Sequence, residues 1–257
     1  MTDETAGAPA EPIEIRSNTV LPARREDIEL RTSDGLSLVG ELALPEDREP
    51  VATLVTFHPL PTHGGFMDSH IYKKAAWRLP ALADLAVLRF NTRGTSSPRG
   101  TSEGEFGDGV AERADVEAAF DLVRERGLPA PWMVGWSFGT ELAIRYGLEH
   151  RDELAGVILL SPPMRRAGVE DLARWKGFGK PFVWLVPEHD DFLTPDAARE
   201  RIAEAGLSEG DVDFVAVEDG RHLWVGESQT RRVLDEIVAR VNPAKSPLPS
   251  SWPPAGA

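Results

Sequence analysis

The sequence contains no cysteine, which excludes a disulfide framework, a thiolate zinc site and a cysteine nucleophile. Basic residues are also scarce, because 28 Lys and Arg stand against 42 Asp and Glu and give a net charge of −14. Since nucleic acids and anionic membranes bind basic surfaces, neither is expected as a partner. No apolar run approaches the ~18 residues that span a bilayer, and residues 1–7 lack the apolar stretch of a signal peptide. We therefore expect a cytoplasmic protein with a small-molecule partner.

The composition is that of a folded domain with a sizeable core, since 41% of the 257 residues are hydrophobic. Residues 1–20 are polar and rich in Pro and Ala, and residues 242–257 are rich in Pro. Both segments are predicted to be flexible tails. One domain is predicted between them, over residues 21–241, and the oligomeric state stays open.

Apolar runs alternate with helical patterns along this domain. A turn at Asp34-Gly35 joins two short apolar segments and indicates a hairpin. Further strands are predicted at 51–57, 86–90, 132–134, 156–160, 182–186 and 212–217, and helices at 71–82, 110–126, 138–149, 196–205 and 227–241. The alternation predicts an α/β fold in which a mostly parallel sheet carries helices on both faces. In such sheets, ligands bind at the carboxyl ends of the strands.

The pattern Gly-x-Ser-x-Gly occurs twice, around Ser102 and around Ser137. The Ser102 copy lies among Ser, Pro and Gly residues and is predicted to be a loop. The Ser137 copy follows an apolar strand and precedes a helix, which is the context of a nucleophile elbow. The Phe138 N–H would then lie at the helix start, free to stabilise an oxyanion. Ser137 is the predicted nucleophile.

A serine nucleophile needs a base, and the base needs an orienting acid. His222 lies in a loop after the last predicted strand, so it is the predicted base. Three carboxylates follow the preceding strand, namely Glu188, Asp190 and Asp191, and residue chemistry alone does not choose among them.

A second oxyanion donor is predicted after the strand at 51–57, which ends in His58-Pro59-Leu60-Pro61. Neither proline has an N–H group, so Leu60 is the donor past His58, and Pro61 biases its backbone towards an extended form. The side chains predicted to line the substrate site are His58, His63, Trp136 and Trp224.

Three motifs together resemble the small bacterial α/β-hydrolase superfamily proteins that lack a lid. They are His58-Pro59-Leu60-Pro61 with Gly64-Gly65, the segment 88–94, and Gly135-Trp136-Ser137-Phe138-Gly139. The resemblance covers residues 28–240 or so. It implies an eight-stranded, mainly parallel sheet whose second strand is antiparallel. Between 161 and 181 there is room for one short helix only, so no substantial cap domain is expected.

The resemblance also bears on the triad. The family's acid motif, usually Gly-x-x-Asp, aligns with Pro187 to Asp190 and selects Asp190, with Asp191 as the alternative because Pro replaces Gly. The family's Gly-x-His motif matches Gly220-Arg221-His222.

The expected activity is that of a serine hydrolase acting on carboxylic esters of small or medium acyl groups, without metal or organic cofactor. A thioesterase, an amidase or peptidase with the same triad, and a non-catalytic binding protein of this fold are the alternatives.

Overall fold

Eight strands form the central sheet of the structure, a computed structural model that describes residues 12–253. In chain order they are β1 (Arg24–Arg31), β2 (Ser37–Leu44), β3 (Ala52–Phe57), β4 (Leu85–Phe90), β5 (Pro131–Trp136), β6 (Gly156–Leu160), β7 (Phe182–His189) and β8 (Asp213–Arg221). Their order across the sheet is β8-β7-β6-β5-β3-β4-β2-β1. β2 is antiparallel to both β1 and β4, and every other neighbouring pair is parallel. The predicted mainly parallel sheet with an antiparallel second strand is confirmed.

Six helices cover the sheet: α1 (His70–Ala83), α2 (Arg113–Glu125), α3 (Phe138–Tyr146), α4 (Val169–Ala173), α5 (Pro195–Glu204) and α6 (Glu227–Val241). Their apolar sides bury two separate clusters, one that includes residues of α1 and α6 and one that includes residues of α2 to α5. Because both faces are covered, all residues of β3 to β6 are buried, which explains their nearly continuous apolar sequences.

Two predicted helices differ at their ends. The helix predicted at 110–126 begins at Arg113, because Glu112 first accepts the backbone N–H groups of Gly107 and Gly109. The helix predicted at 138–149 ends at Tyr146 and continues as a 3₁₀ turn, Gly147–His150.

The connection between β6 and β7 holds a single helix, α4, of five residues. The expectation of no substantial cap domain is confirmed, and the carboxyl edge of the sheet is left uncovered by any added domain within residues 12–253.

The predicted tails differ from the structure where it describes them. Ile13–Glu14 pairs with Ser251–Trp252 in a small antiparallel sheet, and Leu248 is buried. These segments, which were predicted to be flexible, are held against the domain by backbone pairing and by an apolar side chain. The rest of both predicted tails, 1–11 and 254–257, lies outside the described residues. No helix among the described residues is both long enough and apolar enough to cross a membrane.

Candidate active site

Ser137 occupies the sharp turn between β5 and α3. Its backbone has φ 51° and ψ −115°, a conformation that is costly for a residue with a side chain. The Ser137 N–H donates a 2.9 Å hydrogen bond to the carbonyl of Leu160 at the end of β6, which helps to hold this conformation. A strained serine between a strand and a helix is the geometry of a nucleophile elbow.

The two glycines that flank Ser137 are required by the close approach of backbone segments. A methyl group on Gly135 would lie 2.4 Å from the Gly139 oxygen, and one on Gly139 would lie 1.9 Å from the Phe57 oxygen at the end of β3. Any side chain would therefore force β5, α3 and β3 apart. The spacing Gly-x-Ser-x-Gly is thus a packing requirement of this crossing.

Ser102, the serine of the other match, is a buried structural residue. Its hydroxyl donates to the Asn91 carbonyl at 2.7 Å and accepts the Val39 N–H at 2.9 Å. These contacts join the loop to β2 and to the end of β4. The prediction that this copy is a loop agrees with the structure, apart from a two-residue strand at Gly100–Thr101.

Ser137, His222 and Asp190 form one hydrogen-bonded chain. With the imidazole proton on Nδ1, His222 donates to Asp190 Oδ2 at 2.9 Å, and its Nε2 accepts the Ser137 hydroxyl at 2.8 Å. The structure thus brings together three residues that are separated by 53 and 32 positions in the sequence. This is the arrangement that activates a serine hydroxyl.

The structure distinguishes the three candidate acids. The Asp190 side chain is buried, and its second oxygen, Oδ1, accepts the N–H groups of Phe192 and Leu193 at 2.8 and 3.1 Å. Asp191 is exposed to solvent, and Glu188 instead accepts the Asp219 N–H. Only Asp190, of the three, reaches His222.

The backbone of His222 is held by two side chains. Its carbonyl accepts the Trp136 indole N–H and the Ser161 hydroxyl, each at 3.2 Å. Two residues on, the Trp224 carbonyl accepts the His70 Nε2–H at 3.0 Å, and the His70 ring packs edge-on against Trp136. The loop that carries the predicted base is therefore fastened to the residue next to the predicted nucleophile.

Three of the four side chains predicted to line the substrate site are buried structural groups instead. Trp136 and Trp224 are almost fully buried, and the third, His58, donates from Nδ1 to the Pro59 carbonyl and accepts the Thr92 N–H at Nε2. Burial lowers the pKa of His58 to about 4, so this imidazole is neutral at pH 7. The fourth, His63, is exposed in a short 3₁₀ turn.

The two predicted oxyanion donors follow neighbouring strands, β3 and β5. Phe138 is the first residue of α3, where an N–H has no intrahelical acceptor. The Leu60 N–H has no acceptor among residues 12–253, and its peptide plane is fixed because His58 holds the Pro59 carbonyl at 2.7 Å. Gly65 closes the turn by donating to the Leu60 carbonyl. Their role as an oxyanion hole stays a prediction.

Several residues near the site went unpredicted. Ser161 follows β6 as Ser137 follows β5, so its position at a strand end was an available signal. The role of His70, at the start of α1, left no local signal. The Phe192 ring packs against the His222 ring with 4.4 Å between the ring centres, and this contact depends on tertiary structure.

One group of side chains among residues 12–253 brings potential metal ligands together. Glu188, His189 and Asp219 offer ligand atoms within 4.8 Å of one another, and all three are exposed. None of them belongs to the Ser137–His222–Asp190 chain.

Comparison with known proteins places this geometry in a family context. The model of the Alpha/beta hydrolase family matches residues 62–182. An uncharacterized protein of Rickettsia prowazekii is 26% identical over 179 residues, which are 68% of this chain and 72% of that protein.

Solved structures share the fold. An α/β serine hydrolase without a lid from Xanthomonas campestris has 26% identity and a TM-score of 0.66, over 87% of this chain and 94% of its own. An esterase from Pyrococcus furiosus has 17% identity and a TM-score of 0.66, over 87% and 96%. These similarities support hydrolase activity. With its eight-stranded sheet and its serine elbow, the chain has the α/β-hydrolase fold, and these matches make it similar to members of the α/β-hydrolase superfamily.

Proposed function

We propose that the protein is a serine hydrolase that cleaves carboxylic esters of small or medium acyl groups. The observation that carries this proposal is the continuous chain from Ser137 Oγ through His222 to the buried Asp190, with hydrogen bonds of 2.8 and 2.9 Å. The name of the Pyrococcus furiosus structure, an esterase, agrees with this substrate class.

In the proposed reaction, Ser137 Oγ attacks the ester carbonyl carbon while His222 Nε2 takes the hydroxyl proton. The carbonyl oxygen becomes an oxyanion, and the Leu60 and Phe138 amides donate to it. His222 then gives its proton to the leaving alcohol, which departs and leaves an acyl-serine. Water, deprotonated by His222, releases the acid and restores Ser137.

Asp190 orients His222 in this scheme. Its Oδ2 holds the proton on Nδ1, which leaves the Nε2 lone pair directed at the serine. Because two backbone N–H groups bind Oδ1, the carboxylate cannot rotate freely. It can therefore stabilise the imidazolium that forms during the reaction without moving.

The acyl range follows from the open site. The single five-residue helix between β6 and β7 adds no enclosing domain that could bury a long acyl chain. We accordingly expect turnover of p-nitrophenyl esters to be best with short and medium acyl chains and to decline with longer ones. The cytoplasmic location stays a prediction.

The test compares two serines in the same sequence pattern. Ser137→Ala should lower kcat for p-nitrophenyl esters by ~10⁴-fold or more, since the nucleophile is lost. Ser102→Ala is the matched control: it removes two buried hydrogen bonds, so it should lower stability by about 1–3 kcal/mol and leave kcat unchanged.

A fluorophosphonate probe separates the alternatives. Labelling at Ser137 together with ester turnover supports the proposal. If Ser137 is labelled but only thioesters or anilides are turned over, the substrate class is thioesters or amides instead of esters. A folded protein that is not labelled at Ser137 would favour a non-catalytic binding protein.

A further inference from the structure

Two arginines lack the partners that the other arginines have. Residues 12–253 include all 23 arginines of the sequence. Within this range, 21 guanidinium groups either contact a carboxylate within 4.0 Å or donate to a backbone carbonyl. The exceptions are Arg165 and Arg221. Both exceptions are close to the predicted base. Arg221 directly precedes His222, and Arg165 is joined to it through one aromatic ring.

That ring is Phe192. The Arg165 guanidinium carbon lies 4.6 Å from the centre of the Phe192 ring, and the centre of that ring lies 4.4 Å from the centre of the His222 ring. The two contacts in series place the guanidinium no more than about 9 Å from the imidazole. Phe192 is 45% exposed, so the charge lies at the solvent side of the site.

The backbone at Arg165 is anchored by a buried carboxylate. Glu141, on α3, is 1% exposed, and its Oε1 accepts the N–H groups of Arg165 at 2.5 Å, of Arg166, and of Ala167 at 3.4 Å. The Arg166 side chain forms an ion pair with Asp108. Its neighbour Arg165 is therefore presented on a fixed segment with its charge unpaired among the described residues.

The chemistry of this arrangement suits an anion. A guanidinium stacked over an aromatic face makes no hydrogen bond through that contact, so its N–H donors stay available. In a protein of net charge −14, carboxylates that could neutralise it are abundant, yet none of those in residues 12–253 does so. An arginine guanidinium can bind a carboxylate through two parallel N–H···O hydrogen bonds, and this bidentate geometry orients the ligand as well as attracting it.

We propose that Arg165 is a specificity-determining residue that binds a carboxylate at the far end of the substrate. The preferred substrates are then esters that carry a free carboxylate a short distance from the scissile bond, such as monoesters of dicarboxylic acids or esters of hydroxy acids. This inference rests on the proposed ester hydrolysis and narrows its substrate class.

The experiment uses two pairs of esters that differ in one charge. On the acyl side, mono-p-nitrophenyl adipate is compared with its methyl ester; on the alcohol side, 4-acetoxybenzoate is compared with its methyl ester. In at least one pair, wild type should show a kcat/KM for the charged ester about tenfold above that of the neutral one, the scale of one charge-assisted hydrogen bond.

Arg165→Gln should abolish that ratio by raising KM for the charged ester, while kcat/KM for the neutral ester stays at the wild-type value. Arg165→Lys should retain part of the ratio, because the charge remains and the planar fork is lost. Arg199→Gln is the matched control, since Arg199 also stacks on an aromatic ring, Phe214, at 4.4 Å. It should leave both values unchanged.

A wild-type ratio near one in both pairs, or an equal ratio in wild type and Arg165→Gln, would overturn the inference while leaving the proposed function intact, since Ser137-dependent turnover of the neutral esters continues. If no ester of either pair is hydrolysed, the proposed function fails and the inference fails with it.

Discussion

The indole Nε1–H of Trp136 donates a 3.2 Å hydrogen bond to the backbone carbonyl of His222. Trp136 immediately precedes Ser137 in the chain, so one residue of the elbow holds the loop of the predicted base. The position of the imidazole relative to the serine is therefore set by a direct link between the two loops, with Ser161 as a second donor to the same carbonyl.

Trp136→Phe should lower kcat for neutral esters five- to tenfold, roughly the effect of losing one hydrogen bond of about 1 kcal/mol, with little change in KM. The ring stays in the core, but the His222 carbonyl loses one of its two donors. Steady-state kinetics with p-nitrophenyl acetate measures the split between kcat and KM.

The control for this variant is Trp184→Phe. Trp184 is equally buried, and its indole N–H has no acceptor among the described residues, so the substitution removes similar volume without breaking a hydrogen bond. Equal losses of kcat in the two variants would show that the loss comes from the smaller volume of the side chain and not from the broken hydrogen bond.

Asp190→Asn should lower kcat by ~10⁴-fold, because an amide in place of Oδ2 favours the wrong tautomer of His222. Asp191→Asn makes the same chemical change one residue away, at an exposed carboxylate, and should leave kcat unchanged. Parallel kinetics of both variants decides the point: a large loss in Asp191→Asn with none in Asp190→Asn would reverse the assignment of the acid.

Gly139→Ala should destabilise the protein by at least about 3 kcal/mol, because the added methyl group would lie 1.9 Å from the Phe57 oxygen and backbone must shift. Gly210→Ala is the control, since its methyl group would meet nothing nearer than 3.6 Å. Urea unfolding monitored by tryptophan fluorescence measures both. Midpoints that shift equally in the two variants would contradict the packing explanation of the Gly-x-Ser-x-Gly spacing.

The buried His58 predicts a specific loss of stability in acid. The pKa of His58 is about 4 in the folded protein, against 6.5 for the free side chain. Between pH 6.5 and pH 4, the imidazole is therefore protonated in the unfolded chain but neutral in the folded protein. The stability that His58 contributes is thus complete above pH 6.5, falls as pH drops towards 4, and totals about 3 kcal/mol over that window.

The measurement is the difference in unfolding free energy between wild type and His58→Gln over pH 4–7. Because glutamine does not titrate, the difference should shrink steadily towards pH 4. A constant difference, or an imidazole NMR signal of His58 that titrates near pH 6.5, would contradict the neutral, buried histidine.

Local sequence was sufficient for the elements and for the elbow. Strands with both faces covered are continuously apolar, and the turn at Ser137 differs from the same pattern at Ser102 by the apolar strand before it and the helix after it, so both are visible without the fold. The order of Ser137, the acid and His222 along the chain followed in the same way from the order of the strands that precede them.

Tertiary structure decided which neighbouring side chains meet. Asp190 and Asp191 differ by one residue, and only the backbone path after β7, where two amides bind Oδ1, selects which carboxylate faces His222. Composition predicted a flexible start for Ile13, yet Ile13 pairs with Trp252 from the other end of the chain. Trp136, predicted to line the substrate site, donates to His222, 86 positions away. Contacts between residues far apart in sequence depend on how the whole chain folds, and no local pattern encodes them.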